Sequence, residues 1–215
     1  MPKAVLFDLD GTVMDTAPDL VAALNRTLAD IGEPECTDPK VHHYASHGAF
    51  GLLKYALKDR FERYEPQMLR TNLLNHYAND IASSSQLYPG MPELLAKLDE
   101  QGTPWGIVTN KPGFLTDSLL PHFTELQTSR TNISGDTCGV AKPDPKPMLL
   151  ASEQVGIVPE EIVYVGDAER DMLAGNRVGM TTLVAMWGYI SEFDTPHQWN
   201  GNGAIEHPLE VLDWL

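Results

Sequence analysis

The chain has 215 residues, enough for one full hydrophobic core or a core with a small accessory domain. Its 30 acidic against 15 basic residues give a formal net charge of −15, and no Lys/Arg run offsets this, so nucleic acid and anionic membrane are excluded as expected partners. The 42% hydrophobic content suits a globular protein, no apolar run reaches the length of a membrane span, and Asp8 comes too early for a signal-peptide apolar region.

The two cysteines, Cys36 and Cys138, lie far apart and neither has a CxxC partner, so a reduced, cytoplasmic protein with free thiols is expected. The acidic surface does nothing to attract a phosphorylated substrate, so any such attraction must be local. The first predicted element is a strand over 3–9. There Ala4-Val5-Leu6-Phe7 runs into Asp8-Leu9-Asp10 and then Gly11-Thr12. Two carboxylates at that spacing on a strand share a face and disturb each other's ionisation. From about 16 to 85 no strand pattern follows; amphipathic helices are predicted over 18–32, 48–62 and 66–82. Alternation resumes after Tyr88-Pro89-Gly90, with helices over 92–102, 113–123, 147–156 and 169–179. The strands between and after them are predicted over 104–110, 129–134, 161–167, 181–186 and 203–207.

Several of these strands are continuous Val/Ile/Leu runs, as in parallel strands covered on both faces. The pattern predicts an α/β fold: a Rossmann-like doubly wound parallel sheet with a small all-helical cap domain inserted after strand one. The core would be residues 1–15 and 86–215, and the cap residues 16–85. Ligands bind beyond the carboxyl ends of such strands, and an insert springing from that edge is placed to act as a lid.

Four polar clusters fall at predicted strand ends: Asp8/Asp10/Thr12, Thr109/Asn110/Lys111, Lys142 after the third strand's loop, and Asp167/Asp171. Parallel strands would bring them to one rim. Asp8, Asp10 and Asp167 together demand a cation, and oxygen-only ligands without clustered His or Cys suit Mg²⁺. Asp171 lies one helical turn after Asp167 and can face the same site, binding the ion through water or orienting Lys142. His42, His43 and His47 are read as turn and helix residues in preference to a second metal site.

These motifs identify the chain as resembling the haloacid dehalogenase-like phosphohydrolases over nearly its whole length. The carriers are DLDGT at 8–12, IVTN with Thr109, AKPDP with Lys142, and VGDAERD with Asp167 and Asp171. The resemblance implies that Asp8 is the nucleophile and forms an aspartyl-phosphate, while Asp10 protonates the leaving oxygen and then deprotonates water. It implies Mg²⁺ held by the Asp8 carboxylate, the Asp10 carbonyl and Asp167, with Asp171 beside them. Thr109, Asn110, Gly11, Thr12 and nearby backbone N–H groups would bind phosphoryl oxygens, and Lys142 would offset their charge.

The same resemblance separates reactions. Asp10 argues against dehalogenation, which lacks that acid. The hinge at 15–19 has no lysine of the phosphonatase kind and no histidine of the mutase kind. Hydrolysis of a phosphomonoester by a phosphatase leads. A β-phosphoglucomutase-type mutase and an inactive phosphate-binding module stay open as alternatives. The cap segment 42–57 resembles the specificity loop of phosphoglycolate phosphatases, which points Ser46, His47, Gly48 and Ala49 at the site. A helix N-terminus there suits a substrate carboxylate, although this loop lacks Arg and Lys. The segments 142–154, 187–199 and 205–215 resemble the branch containing N-acetylmuramic acid 6-phosphate phosphatases. Trp187 and Tyr189 are expected to pack under the final helix, with the site entrance as the other option. The expected partner is a small phosphate ester; monomer and dimer stay open.

Overall fold

A computed structural model describes residues 2–215. Six strands form one parallel sheet: β1 (Ala4–Phe7), β4 (Trp105–Val108), β5 (Asn132–Ile133), β6 (Ile162–Gly166), β7 (Thr181–Ala185) and β8 (Gly203–Ile205). Their spatial order is β5-β4-β1-β6-β7-β8. Register places Phe7 beside Ile107 on one side and Val165 on the other, so β1, β4 and β6 end together at one rim. The chain moves outward from β1 through β4 to β5 and then crosses back to β6. The crevice where that direction reverses is where open α/β sheets bind ligands.

Alternation along the central strand builds two cores. Val5 and Phe7 point to one face with Ile107, Val163 and Val165. Ala4 and Leu6 point to the other with Val108, Ile162 and Tyr164. The first face is covered by α4 (Met91–Gln101) and α5 (Gly113–Leu119), through Leu94, Leu98, Leu115 and Leu119. The second face takes Met148 and Ala151 of α6 (Lys146–Val155) and Ala174 of α7 (Glu169–Val178). Trp105 meets Phe7 edge-on, with ring centroids 6.5 Å apart.

Between β1 and β4 the chain forms α1 (Ala17–Asp30), α2 (Gly48–Leu57) and α3 (Pro66–Asn79), with 3₁₀ turns over Pro39–His47 and Lys58–Arg63. Leu20, Leu24 and Leu28 repeat at helical spacing on α1 and are buried in one cluster with Leu69 and Leu73 of α3. Two short strands that periodicity did not predict, β2 (Met14–Asp15) and β3 (Gln86–Leu87), pair antiparallel where the chain leaves and re-enters the α/β part. Asp19 reinforces that crossing: its carboxylate accepts from the Ser84 and Ser85 backbone N–H groups and from the Ser85 hydroxyl.

Several predicted elements are shorter in the structure, the helix over 113–123 ending at Leu119 among them, and three show why. The helix expected over 48–62 ends at Leu57 and continues as a 3₁₀ turn because Lys58 adopts φ 51°. The helix over 66–82 stops at Asn79, ahead of the Ser83-Ser84-Ser85 turn. The strand over 129–134 is ordered in the sheet only at Asn132–Ile133, since β5 is an edge strand paired with β4 alone. Leu24→Ala should open a cavity beneath α3 and cost about 2–5 kcal/mol. Chemical denaturation should show a lowered midpoint with an unchanged slope.

Candidate active site

The site begins where β1 runs out. Asp8 is anchored by its backbone N–H, which donates to Val165 O at 2.9 Å. The next residues wrap tightly: Val13 N and Met14 N both donate to Leu9 O, at 3.0 and 2.9 Å. Gly11 turns this loop with φ +83°, and a Cβ there would stand 2.2 Å from Asp167 Oδ2. Both conformation and space therefore require glycine. The loop turns Asp8 and Asp10 into one cavity.

Each of these two acids has its own cation. Lys142 Nζ lies 3.0 Å from Asp8 Oδ1 and 2.7 Å from Asp171 Oδ1. The same ammonium donates to Val108 O at 2.6 Å and to the Tyr164 hydroxyl at 2.7 Å, so its three protons are fully shared. Lys142 is held by a reciprocal pair: its N–H donates to Asn110 Oδ1 and its C=O accepts from Asn110 Nδ2, both at 2.9 Å. Asp10 Oδ1 pairs with Lys111 Nζ at 2.8 Å and accepts from the Thr16 hydroxyl at 2.5 Å. Arg170 Nη2 stands 3.6 Å from Asp8 Oδ2.

Asp167 completes the rim. Its Oδ1 accepts from the Thr12 hydroxyl at 3.2 Å, and its Oδ2 accepts from Tyr189 N at 2.9 Å and from the Ser46 hydroxyl at 3.0 Å. Ser46 reaches it from the helical segment across the crevice. Asp8, Asp167 and Asp171 each present an oxygen within 4.8 Å of the others, all buried.

A cavity of about 310 Å³ opens above Asp8. Thr109, Asn110, Ser46, His47 and Gly48 line it together with Asp8 and Asp10. Gly11, Thr12 and Lys142 sit elsewhere. Lys142 is buried behind Asp8, while Gly11 and Thr12 pack on Asp167, so these two support a carboxylate rather than face the space where a substrate fits. Asp171 spends one oxygen on Lys142 and the other on the Ala168 N–H, capping α7. Of its two suggested roles, this contact set matches orienting Lys142. Tyr189 lines a pocket beside Asp167, Arg170 and Ser46, as the entrance option has it, and has a further task. Its hydroxyl accepts from Thr16 N and Ala17 N at 2.7 and 2.8 Å and donates to Asp15 Oδ1 at 2.9 Å. It thereby caps α1 in place of Thr16, whose own hydroxyl goes to Asp10. Trp187 donates from Nε1 to Thr12 O at 3.0 Å, bracing the same loop. Sequence reasoning gave no role to Arg170, Tyr164, Arg70 or Tyr77, and none to Lys111 beyond its cluster. Arg170 lay inside a quoted motif, and its place directly before Asp171 was the available signal.

Residues 5–185 match the model of the haloacid dehalogenase-like hydrolase family. The chain belongs to that family. It is 37% identical over 213 residues to an N-acetylmuramic acid 6-phosphate phosphatase of Pseudomonas aeruginosa, covering 99% of this chain and 94% of that protein. It is also 37% identical over 212 residues to a phosphoglycolate phosphatase of Xanthomonas campestris pv. campestris, covering 99% and 96% of the two chains. Among solved structures, a predicted phosphoglycolate phosphatase from Haemophilus somnus superposes with a TM-score of 0.85 at 25% identity, covering 99% of this chain and 97% of that one. This haloacid dehalogenase-like hydrolase is a phosphatase.

The electrostatics of the phosphatase site follow from crowding. Burial pushes the Asp8 carboxyl up, but Lys142 and Arg170 outweigh it and hold Asp8 below the usual carboxylate range. Burial, with Asp8 and Asp171 beside it, pushes Asp167 up to about 7. Burial likewise raises Asp171, although Lys142 opposes it. Burial, and then Arg170, lowers the His47 imidazole. Three buried carboxylates are thus served chiefly by Lys142 and Arg170, and Asp167 is the one left short of charge. An all-oxygen donor set with a carboxylate in deficit fits a hard divalent cation.

In the metal-free protein, folded Asp167 keeps its proton up to about pH 7, whereas its ordinary value is 3.8. Its contribution to stability is therefore full below about pH 4 and is lost as pH rises through about 7. Asp8 acts in the opposite sense, its contribution being lost as pH falls through the acid range. The melting temperature of the metal-free protein should fall between pH 5 and pH 8. Asp167→Asn should flatten that slope, read by scanning calorimetry.

Proposed function

We propose that this phosphatase is a Mg²⁺-dependent phosphomonoester hydrolase that works through an aspartyl-phosphate on Asp8. The observation that carries this reading is the unequal treatment of two neighbouring acids. Asp8 is held ionised at the base of the cavity by Lys142 and Arg170. Asp10, on the same wall, is steered by Lys111 and Thr16. One is fitted to attack and the other to carry a proton.

In the first step an Asp8 carboxylate oxygen bonds to phosphorus as the phosphorus–oxygen bond to the alcohol breaks. Asp10 gives its proton to that leaving oxygen. In the second step water bonds to phosphorus, Asp10 takes the water's proton, and the Asp8–phosphorus bond breaks to release phosphate. Thr109 and the backbone N–H groups of its loop bind the phosphoryl oxygens, and Lys142 and Arg170 offset their charge. Asp8, Asp167 and the Asp10 carbonyl would hold Mg²⁺, with Asp171 acting through Lys142. When bound, the ion supplies positive charge against the carboxylates and phosphoryl oxygens.

The helical segment 16–85 acts as the cap of this site. It supports that reading by supplying Ser46, His47 and Gly48 to the cavity wall. The substrate is a small phosphorylated metabolite of the kind named for its relatives, 2-phosphoglycolate or N-acetylmuramic acid 6-phosphate. Asp8→Asn keeps the shape and removes the nucleophile. It should abolish phosphate release from both esters, at least a thousandfold in kcat, in protein whose circular dichroism shows the wild-type fold. Residual turnover near wild type would overturn the covalent route. Chelation of divalent ions should likewise abolish phosphate release from the wild type, and added Mg²⁺ should restore it.

A further inference from the structure

One wall of the cavity carries groups that the chemistry at Asp8 does not use. Arg70, Leu74 and Tyr77 are spaced four and three apart on α3, so they share a helix face, and all three line the cavity. The adjoining face of α3 is fixed by burial of Leu69 and Leu73, which sets the direction in which the cavity face looks.

These side chains have donors to spare. Among the described residues, two buried side-chain polar atoms lack a hydrogen-bond partner: the Tyr77 hydroxyl and Arg170 Nε. Both residues line this cavity. Arg70 makes no ion pair and no hydrogen bond among the described residues; its guanidinium carbon stands 6.0 Å from the Phe50 ring centroid. It has no counter-ion within the wall, because the cavity's two carboxylates are both taken, Asp8 by Lys142 and Arg170 and Asp10 by Lys111. Arg70 is half-buried beside the Phe50 ring, and a guanidinium there gains most from a planar anion that accepts two parallel N–H bonds.

The phosphoryl group already has Thr109 and Arg170 at the cavity wall, with the buried Lys142 charge behind Asp8. A second anion on the substrate is what Arg70 is left to meet. We propose that Arg70, with Tyr77 beside it, binds a carboxylate on the alcohol part of the substrate, so that the enzyme selects phosphate monoesters of carboxylate-bearing alcohols. This rests on the phosphomonoesterase reading above. It also supplies the local attraction that a chain of net charge −15 denies to a doubly anionic substrate at long range.

The test uses two matched pairs of esters that differ in the carboxylate. N-acetylmuramic acid 6-phosphate is compared with N-acetylglucosamine 6-phosphate, and 2-phosphoglycolate with ethyl phosphate. Wild type should prefer the acid member of at least one pair by about 10- to 100-fold in kcat/KM, the span of one charge-assisted hydrogen-bonded contact. Arg70→Gln should lower that preference at least tenfold, mainly by raising KM, and Arg70→Lys should retain part of it. Tyr77→Phe should lower it by a smaller factor. A preference unchanged in folded Arg70→Gln and Arg70→Lys, or no acid preference in wild type, overturns the proposal. If wild type releases phosphate from none of the four esters nor from p-nitrophenyl phosphate, the phosphomonoesterase reading fails first and the proposal with it.

Discussion

The Lys142 ammonium is the contact on which the site depends. Three carboxylates converge at the ends of β1 and β6, and burial alone would keep them protonated or apart. Lys142 sits between Asp8 and Asp171 and takes its remaining contacts from Val108 O and the Tyr164 hydroxyl. Asp8 and Val108 lie at or next to the ends of central strands, Asp171 at the start of α7, and Tyr164 reaches up from the middle of β6. The sheet order brings β4, β1 and β6 side by side, so one lysine on the loop after β5 can reach all of them. Remove the parallel register and the ammonium has nothing to hold; remove the ammonium and the rim carries like charges without relief.

The second consequence of this arrangement is a division of labour between adjacent acids. Asp8 belongs to the Lys142 group, and Asp10 belongs to a separate group made by Lys111 and Thr16. The repulsion implied by their closeness in the chain is handled pair by pair. Lys111 also lies 4.6 Å from the Tyr77 ring centroid on α3, so the Asp10 group touches the helical segment while the Asp8 group stays within the sheet.

Much of this was legible in the sequence because it rests on local patterns. The strand runs, the glycine after Asp10 and the ordered clusters at Asp8, Thr109, Lys142 and Asp167 fixed both the sheet and the rim. What stayed hidden rests on pairings between distant residues. Thr12 looked like a substrate contact, yet its partner is Asp167, 155 positions away. Tyr189 gave no sign that it would cap α1, since the helix it serves begins at Ala17. β2 and β3 have two residues each, too short for any periodicity. Arg70 and Tyr77 carry no signal in the sequence because α3 is mixed in polarity around its circumference, and only the packing of Leu69 and Leu73 shows which side faces the cavity.

The parallel sheet also imposes an order on folding. β1 precedes both of its hydrogen-bonding neighbours in the chain, β4 and β6, which are in register with Val5 at Trp105 and Val163. During chain elongation the strand that carries the nucleophile therefore waits, apolar and unpaired, until residues far downstream have been made. The segment made meanwhile is α1 to α3, whose contacts with one another all fall within residues 17–79. The helices that roof the cavity are made before the strands beside its floor, and Asp8 meets Lys142, Asp167 and Asp171 only once those later residues join the sheet.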